Sequence, residues 1–377
     1  MLPVIWCRGL LRRRAGRLAA VAAGVAVSVA LLASLGSFLA AAKATMTRQA
    51  IRSVSVDWQV AISPGVDPGA ALGAVRSEPG VRAALPVDFA TSAGLRTTTA
   101  GATHTTGAAK VLGLPPGYPS TFPGEIRPLS GAATTVPAAD ETGVPPSALL
   151  AQQTASNLAA RVGDLVVMDQ AGLASLTVRV AGVVDLPKAD SLFQTVGARP
   201  GAQASAPPDN VVLVAAAAWH QSFDPLAAAR PDLVASQIHV ARDHALSSDP
   251  AAAYSQVVGA AHHLEARLAG GGIVGDNLAA TLDSARQDSL YAQVLFVFLG
   301  LPGALLAAAL TVTVAAVGAN RRLREQSLLR LRGARSGQVL GLAAVEAAVV
   351  GIGGAVVGLG AAVIIGSASF GTASFGA

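Results

Sequence analysis

The chain has 377 residues, 52% of them hydrophobic and only 13% charged, with a mean hydropathy of +0.52. Soluble domains carry about 25% charged residues, so this composition excludes a wholly water-facing protein and equally a chain disordered along its length. The net charge of +5 does not mark a nucleic-acid binder, because it is split into +6 over residues 1–43, −5 over 44–319 and +4 over 320–377 rather than gathered on one folded face.

Residues 1–17 form a basic N-terminus with Arg8, Arg12, Arg13, Arg14 and Arg17. Its Cys7 is the single cysteine of the chain, which rules out an intrachain disulfide or a cysteine metal cluster. S-acylation is conceivable beside an apolar helix, and an inert thiol is the plainer reading. Residues 18–42 carry no charge and exceed the ~20 apolar residues needed to cross a bilayer. The run is longer than the ~7–15 residues of a signal-peptide core, so it reads as an uncleaved first membrane helix. Lys43–Arg52 reads as its continuation.

Residues 43–288 read as a folded extracytoplasmic α+β domain. Alternation of Val54, Val56, Trp58, Val60 and Ile62 with polar or small residues predicts a half-buried strand over Ser53–Ser63. Pro68–Glu78 reads as a short helix ended by Pro79 and Gly80, and Val81–Phe89 as a strand. The stretch 97–147, dense in Thr, Gly and Pro, shows no period and is assigned no element. Residues 147–160 read as a helix. Leu165–Met168 and Leu176–Val184 read as a hairpin around Gln170, Ala171 and Gly172. Gly197–Asp209 reads as a loop, Val211–Val214 and Ile238–Ala241 as short strands, and 251–269 as a helix. Gly275–Tyr291 places Leu278, Leu282, Ala285 and Ser289 on one side and continues into the second membrane helix, over 289–320. The two helical extensions are expected to act as stalks.

A cytoplasmic segment, 321–337, carries an Arg cluster, a third membrane helix spans 338–366, and 367–377 is a tail. The positive-inside rule puts both Arg clusters in the cytoplasm, so three helices cross and 43–288 lies outside, in a bacterial plasma membrane. Anionic membrane lipid would by itself explain the arginines of 321–335.

Few residues suggest chemistry. No GxxxxGK[ST] run is present, so the chain does not cradle nucleotide phosphates by a P-loop. His262 and His263 precede Glu265, but adjacent histidines on a helix point about 100° apart and read as a solvated face rather than a metal site. His239 and His244 bracket a strand end with no identifiable partner. Pro302 lies inside the second membrane helix, where a hinge and a tolerated membrane proline are equally compatible readings. Gly354 and Gly358 form a GxxxG, which permits close helix packing. Glu346, near the cytoplasmic start of the third helix, is costly in lipid and is expected to have a partner such as an Arg of 321–335. No acid, base or nucleophile clusters, so the chain is not read as an enzyme.

The run RRLREQSLLRLRGARSGQVLGLAAVEA over 321–347 resembles the FtsX/MacB-type ABC transporter permeases, and LAARVGDLVVM followed by TVRVAGVV resembles their periplasmic core domain. The resemblance covers 290–366 well and the remainder weakly. It implies a non-catalytic transmembrane subunit that holds no cofactor, with ATP bound by a separate ABC ATPase, and a second permease copy or homologue beside it. It also implies that Arg322, Glu325, Leu328, Leu329, Arg330, Gly333 and Ala334 make the ATPase contact, and that ATPase motion is passed to the outer domain for export, extraction or mechanotransmission of an unidentified cargo. The family has a fourth membrane helix, so the chain is expected to be truncated after its third. A membrane-anchored sensor or scaffold is the alternative.

Overall fold

The computed structural model describes residues 15–99, 101–131, 145–194, 196–197, 207–317 and 336–370. The chain divides into two units, Thr47–Ala285 and, together, Met1–Met46 with Arg286–Ala377. A long helix α1, Ala15–Ser53, is followed by β1 (Trp58–Ile62), α2 (Pro68–Arg76), β2 (Val81–Ser92), β3 (Gly94–Thr99), β4 (Ala102–Thr105), β5 (Ala109–Leu114), α3 (Tyr118–Thr121) and β6 (Arg127–Gly131). Next come β7 (Ser147–Ala151), α4 (Gln152–Leu158), β8 (Leu165–Asp169), β9 (Leu176–Asp185), α5 (Ala189–Leu192), β10 (Val211–Ala215), α6 (Ala216–Ala229), β11 (Val234–Arg242), α7 (Pro250–Leu268) and β12 (Gly272–Asp276). Two long helices follow, α8 (Asn277–Val317) and α9 (Ser336–Phe370).

The strands form one mixed sheet in the order β12-β1-β11-β2-β5-β10-β7-β9-β8-β3-β4, with β6 also paired to β9. Most neighbours are antiparallel; β5 with β10 and β7 with β9 are parallel. Local signals set the helix starts. Asp67 accepts from Gly69 N and Ala70 N ahead of Pro68, and Asp249 accepts from Ala251 N and Ala252 N ahead of Pro250; both combine a side-chain cap with a proline whose missing N–H costs nothing at that position.

The core gathers in three clusters. One packs α4 and α6 against the sheet through Leu158, Trp219, Phe223 and Leu226. The second sets Tyr118, Phe122 and Leu192 of α3, its C-terminal end and α5 against Leu112, Leu149 and Leu213. The third joins Val75 of α2 and Leu264 of α7 to Trp58, Val60, Ile238 and Val240. Gly113 permits the first of these, because a Cβ there would lie 2.7 Å from Trp219 Cβ.

Several sequence expectations change. The predicted strand over Ser53–Ser63 shortens to Trp58–Ile62, since Ser53 still ends α1. Its polar face is not solvated either: Gln59 is buried, and its Nε2 donates to Ser191 O and Leu192 O at 2.8 and 3.2 Å. The helix predicted over 147–160 is a strand for its first five residues. Ala148, Leu149 and Leu150 are buried on both faces between β10 and β9, and a short apolar run of that kind has no period to separate strand from helix. The unassigned stretch 97–147 contains β4, β5, α3 and β6. Helix α6, Ala216–Ala229, adds an element that the sequence pattern does not predict. The hairpin is present as β8 and β9, paired from Leu165↔Arg179 to Met168↔Leu176. The loop expected over Gly197–Asp209 lies mostly outside the described residues.

Candidate functional site

β1 follows α1 and β12 precedes α8, and these two strands pair antiparallel at one edge of the sheet with Trp58 opposite Asp276. Entry to the sheet domain and exit from it therefore coincide. The passage Val54–Asp57 is bonded directly to the first turn of α8. Asp57 O accepts from both Asn277 N and Leu278 N, at 3.1 and 3.2 Å, and Asn277 Nδ2 donates to Val56 O at 3.0 Å. Leu278, Leu282, Ala285 and Ser289 are all buried along α8.

A buried charged cluster fixes this joint. The Asp57 carboxylate, 1% exposed, accepts from Arg242 N at 2.6 Å and lies 3.0 Å from His244 Nε2. The Arg242 guanidinium stacks on the Trp58 indole at 3.9 Å, a cation–π contact strengthened where water is excluded. Burial pulls its pKa down, while Asp276, Asp57 and Glu78 oppose that shift. Asp276 caps α8 by accepting from Ala279 N at 2.7 Å. Burial pushes its carboxyl up to about 6, the cap, Trp58 and Arg242 pulling the other way. The Trp58 indole N–H faces this carboxyl without reaching hydrogen-bonding geometry, and Asp276 Oδ2, Asn277 Oδ1 and Arg242 Nε are also buried without a partner. Glu78 extends the cluster to α7, lying 2.8 Å from His263 Nδ1 and accepting from Arg267 Nη1 at 2.7 Å.

The other flank of the passage carries a second polar group. Ser55 Oγ donates to Pro123 O at 2.8 Å and accepts from Lys188 Nζ at 2.7 Å. Beside them Glu125 is 1% exposed, and neither of its carboxylate oxygens has a hydrogen-bond partner. Burial raises its carboxyl to about 7, against the pull of Lys188 and Ser55. Deeper still, the Tyr118 hydroxyl and His239 Nδ1 share a hydrogen bond of 2.8 Å. Burial holds the imidazole down at about 3, so it is neutral, and it raises the Tyr118 phenol, with Glu125 adding to that rise.

Most of this joint leaves no mark in the sequence. His239 and His244, which have no partner nearby in sequence, contact Tyr118 and Asp57, and His263 is exposed as expected, its Nδ1 also reaching buried Glu78. One signal was available: Asp276-Asn277 before a helical pattern is an N-cap sequence. The long-range partners Arg242 and Asp57 left no local mark. Among the described residues no group of three His, Cys, Asp or Glu is placed to hold a metal ion.

Of the residues singled out from sequence, Arg322, Glu325, Leu328, Leu329, Arg330, Gly333 and Ala334 lie outside the described residues, as does Cys7. Pro302, Glu346, Gly354 and Gly358 belong to the helical unit. Gly354 and Gly358 of α9 lie against α1, where a Cβ would come 2.7 Å from Ala22 O and 2.5 Å from Ala26 O respectively. Pro302 sits within the continuous helix α8. Its neighbour Gly300 packs on Leu35, Phe296 meets Phe38 edge-on at 4.8 Å, and Thr311 packs on Gly24. Helix α1 thus contacts both α8 and α9. Glu346 is partly exposed on α9. Among the described residues, three helices are long and apolar enough to cross a membrane, over Leu18–Ser53, Asn277–Thr313 and Ala343–Ala368.

Comparison with known proteins gives these features a setting. The family described as MacB-like periplasmic core domain matches residues 18–258, and the FtsX-like permease C-terminal family matches 297–376. The curated proteins contain no match. Among solved structures, the periplasmic region of MacB from Actinobacillus actinomycetemcomitans is 11% identical over 63% of this chain and 94% of its own, with a TM-score of 0.36. A domain of a putative permease protein from Porphyromonas gingivalis is 14% identical over 58% and 85%, with a TM-score of 0.30. The first family match spans more than half of the sequence and the second most of the remainder: the chain belongs to the FtsX/MacB-like permease family, whose members serve as membrane subunits of ABC transporters.

Proposed function

We propose that this chain is a non-catalytic permease subunit that carries the motion of a separate ABC ATPase to its extracytoplasmic domain. In this reading the ATPase docks on the cytoplasmic segment 321–337 through Arg322, Glu325, Leu328, Leu329, Arg330, Gly333 and Ala334. Residues 18–42, 289–320 and 338–366 cross the membrane, with 43–288 outside. A second permease copy or homologue completes the transporter.

The observation that carries the reading is the joint. Because β1 and β12 pair with each other and Asp57 O binds the first turn of α8, a displacement between α1 and α8 would act directly on one sheet edge. A chain whose two long helices entered opposite ends of the domain could rotate it without deforming it. Here the lever arms share a fulcrum, and the buried Asp57–Arg242–Trp58 contacts stiffen it. That suits mechanical transmission to a bound substrate or partner protein. Absence of a clustered acid, base and nucleophile in the sequence gives no support to an enzymatic reading.

The test is affinity purification of the tagged chain from mild detergent. An ATPase bearing a P-loop is expected to accompany it, and to be lost in the Leu329→Asp/Arg330→Asp double variant while membrane insertion is unchanged. Retention of the ATPase by that variant would remove the coupling role from 321–335. Purification without any ATPase would favour a membrane-anchored sensor or scaffold.

A further inference from the structure

The passage from α1 into the sheet, Val54–Asp57, is gripped on two sides by different chemistry. On one side Asp57 and Val56 are bound to Asn277, Leu278, Arg242 and His244. On the other, Ser55 is bound to Pro123 O and to the Lys188 ammonium. Glu125 lies two residues beyond Pro123 and is 1% exposed; the Ser55 hydroxyl stands beside its carboxyl but is turned to Pro123 O, so neither oxygen accepts a hydrogen bond.

An ionised carboxylate buried without donors is far costlier than the neutral acid, so this arrangement suits Glu125 with its proton on. When the proton leaves, the carboxylate must find a cation or reach water. The charged or titratable groups facing it are Lys188, ahead of α5, and Tyr118 of α3. Behind Tyr118 stands His239 of β11, neutral and already bonded to the phenol. Lys188 is the one cation among these, and it is engaged with the Ser55 hydroxyl. The Lys188–Ser55 bond has one ionised partner, whereas an ammonium–carboxylate pair has two and adds their mutual attraction where water is excluded, so the ionised Glu125 outcompetes Ser55.

We propose that Glu125 is a proton-operated latch on the Val54–Asp57 passage: neutral, it leaves Lys188 holding Ser55; ionised, it draws the Lys188 ammonium away and frees the passage. The inference rests on reading this passage as the point where α1 drives the outer domain, and it makes transmission sensitive to the pH outside the cell. Protonation locks the passage, and loss of the proton loosens it. The carboxyl's elevation to about 7 sets the window near neutrality. Asp276, raised to about 6, is the rival titrating group, but its cap acts on α8 rather than on Ser55.

Hydrogen–deuterium exchange of the whole chain in detergent micelles tests the latch without reading ATPase association, so its failure would leave the permease reading standing. After correction for intrinsic exchange, protection of the Ser55–Asp57 amides is expected to fall roughly tenfold, the loss of one charge-assisted bond, between about pH 6 and about pH 8. Glu125→Gln is expected to stay at the protected level at both values. Lys188→Met, which keeps Glu125 but removes the grip, is expected to be unprotected at both. A wild-type chain with no step overturns the proposal. So does a step that survives in Glu125→Gln, or one abolished by Asp276→Asn alone. Should Glu125→Gln not fold, a step that survives in Lys188→Met overturns it.

Discussion

The sheet domain and the helical unit are built from the same alanine- and valine-rich alphabet and place it in opposite ways. In the domain the large side chains are inside: Trp58, Tyr118, Phe122 and Phe223 are all less than 2% exposed. In the helical unit the large side chains are outside: Phe298 and Leu299 are 76% exposed, and the buried positions are small, such as Ala26 and Ala362. Water drives apolar bulk inward, whereas lipid gives no such drive and rewards close backbone approach through small residues. An exposed leucine on α8 and a buried leucine in β10 therefore obey one physical rule in two solvents.

Three measurements would break or sharpen that contrast. The largest effect is expected at Trp58. Trp58→Ala removes a fully buried ring and the surface on which Arg242 stacks, and should cost ~3–5 kcal/mol, read as a lowered unfolding midpoint of the domain by circular dichroism. If the loss were under ~1 kcal/mol, the joint would not be a packed core.

Next comes Glu125, where the domain carries a buried charge rather than bulk. Its folded-state proton is held up to about 7 against 4.5 ordinarily, so the folded state binds the extra proton across that window. Stability therefore falls as pH rises from 4.5 through 7, and then levels off. Glu125→Gln should add up to ~3 kcal/mol at about pH 8 and nothing at about pH 4, seen in paired melting curves. An equal gain at both values would contradict a burial origin for the shift.

The smallest effects belong to the helical unit. Gly358→Ala forces a methyl group against Ala26 O and should cost ~1–3 kcal/mol. Phe298→Ala should cost less than ~0.5 kcal/mol, because the ring has lipid on either side of the comparison. Denaturant titration in lipid nanodiscs measures both. A larger loss for Phe298 than for Gly358 would mean that the exposed face of α8 is covered by protein rather than lipid.

Signals carried by neighbouring residues were legible before the structure. Asp67 with Pro68 and the Pro79-Gly80 pair delimit α2. The strands of the β8–β9 hairpin flank a turn at Gly172, which has a φ of +79°. Each uncharged run overlaps a described helix long and apolar enough to cross a membrane. What failed did so for a common reason. Ser147–Ala151 and Ala109–Leu114 are central strands covered on both faces, so neither alternates, and Gln59 is polar yet buried because α5, more than 120 residues away, supplies its acceptors.

Composition and charge order by themselves determined that the chain has long lipid-compatible helices around a large folded insertion, because hydropathy and the placement of arginine are properties of short segments. The basic, leucine-rich run after the second such helix carried the family resemblance in the same local way. The tertiary structure alone decided that the domain's two ends meet on one strand pair, and that Asp57, Arg242, Trp58 and Asp276 share a buried cluster although 185 residues separate Asp57 from Arg242. Strand order and ion pairing of that kind arise when distant segments compete for the same buried space, and no window along the sequence contains both partners.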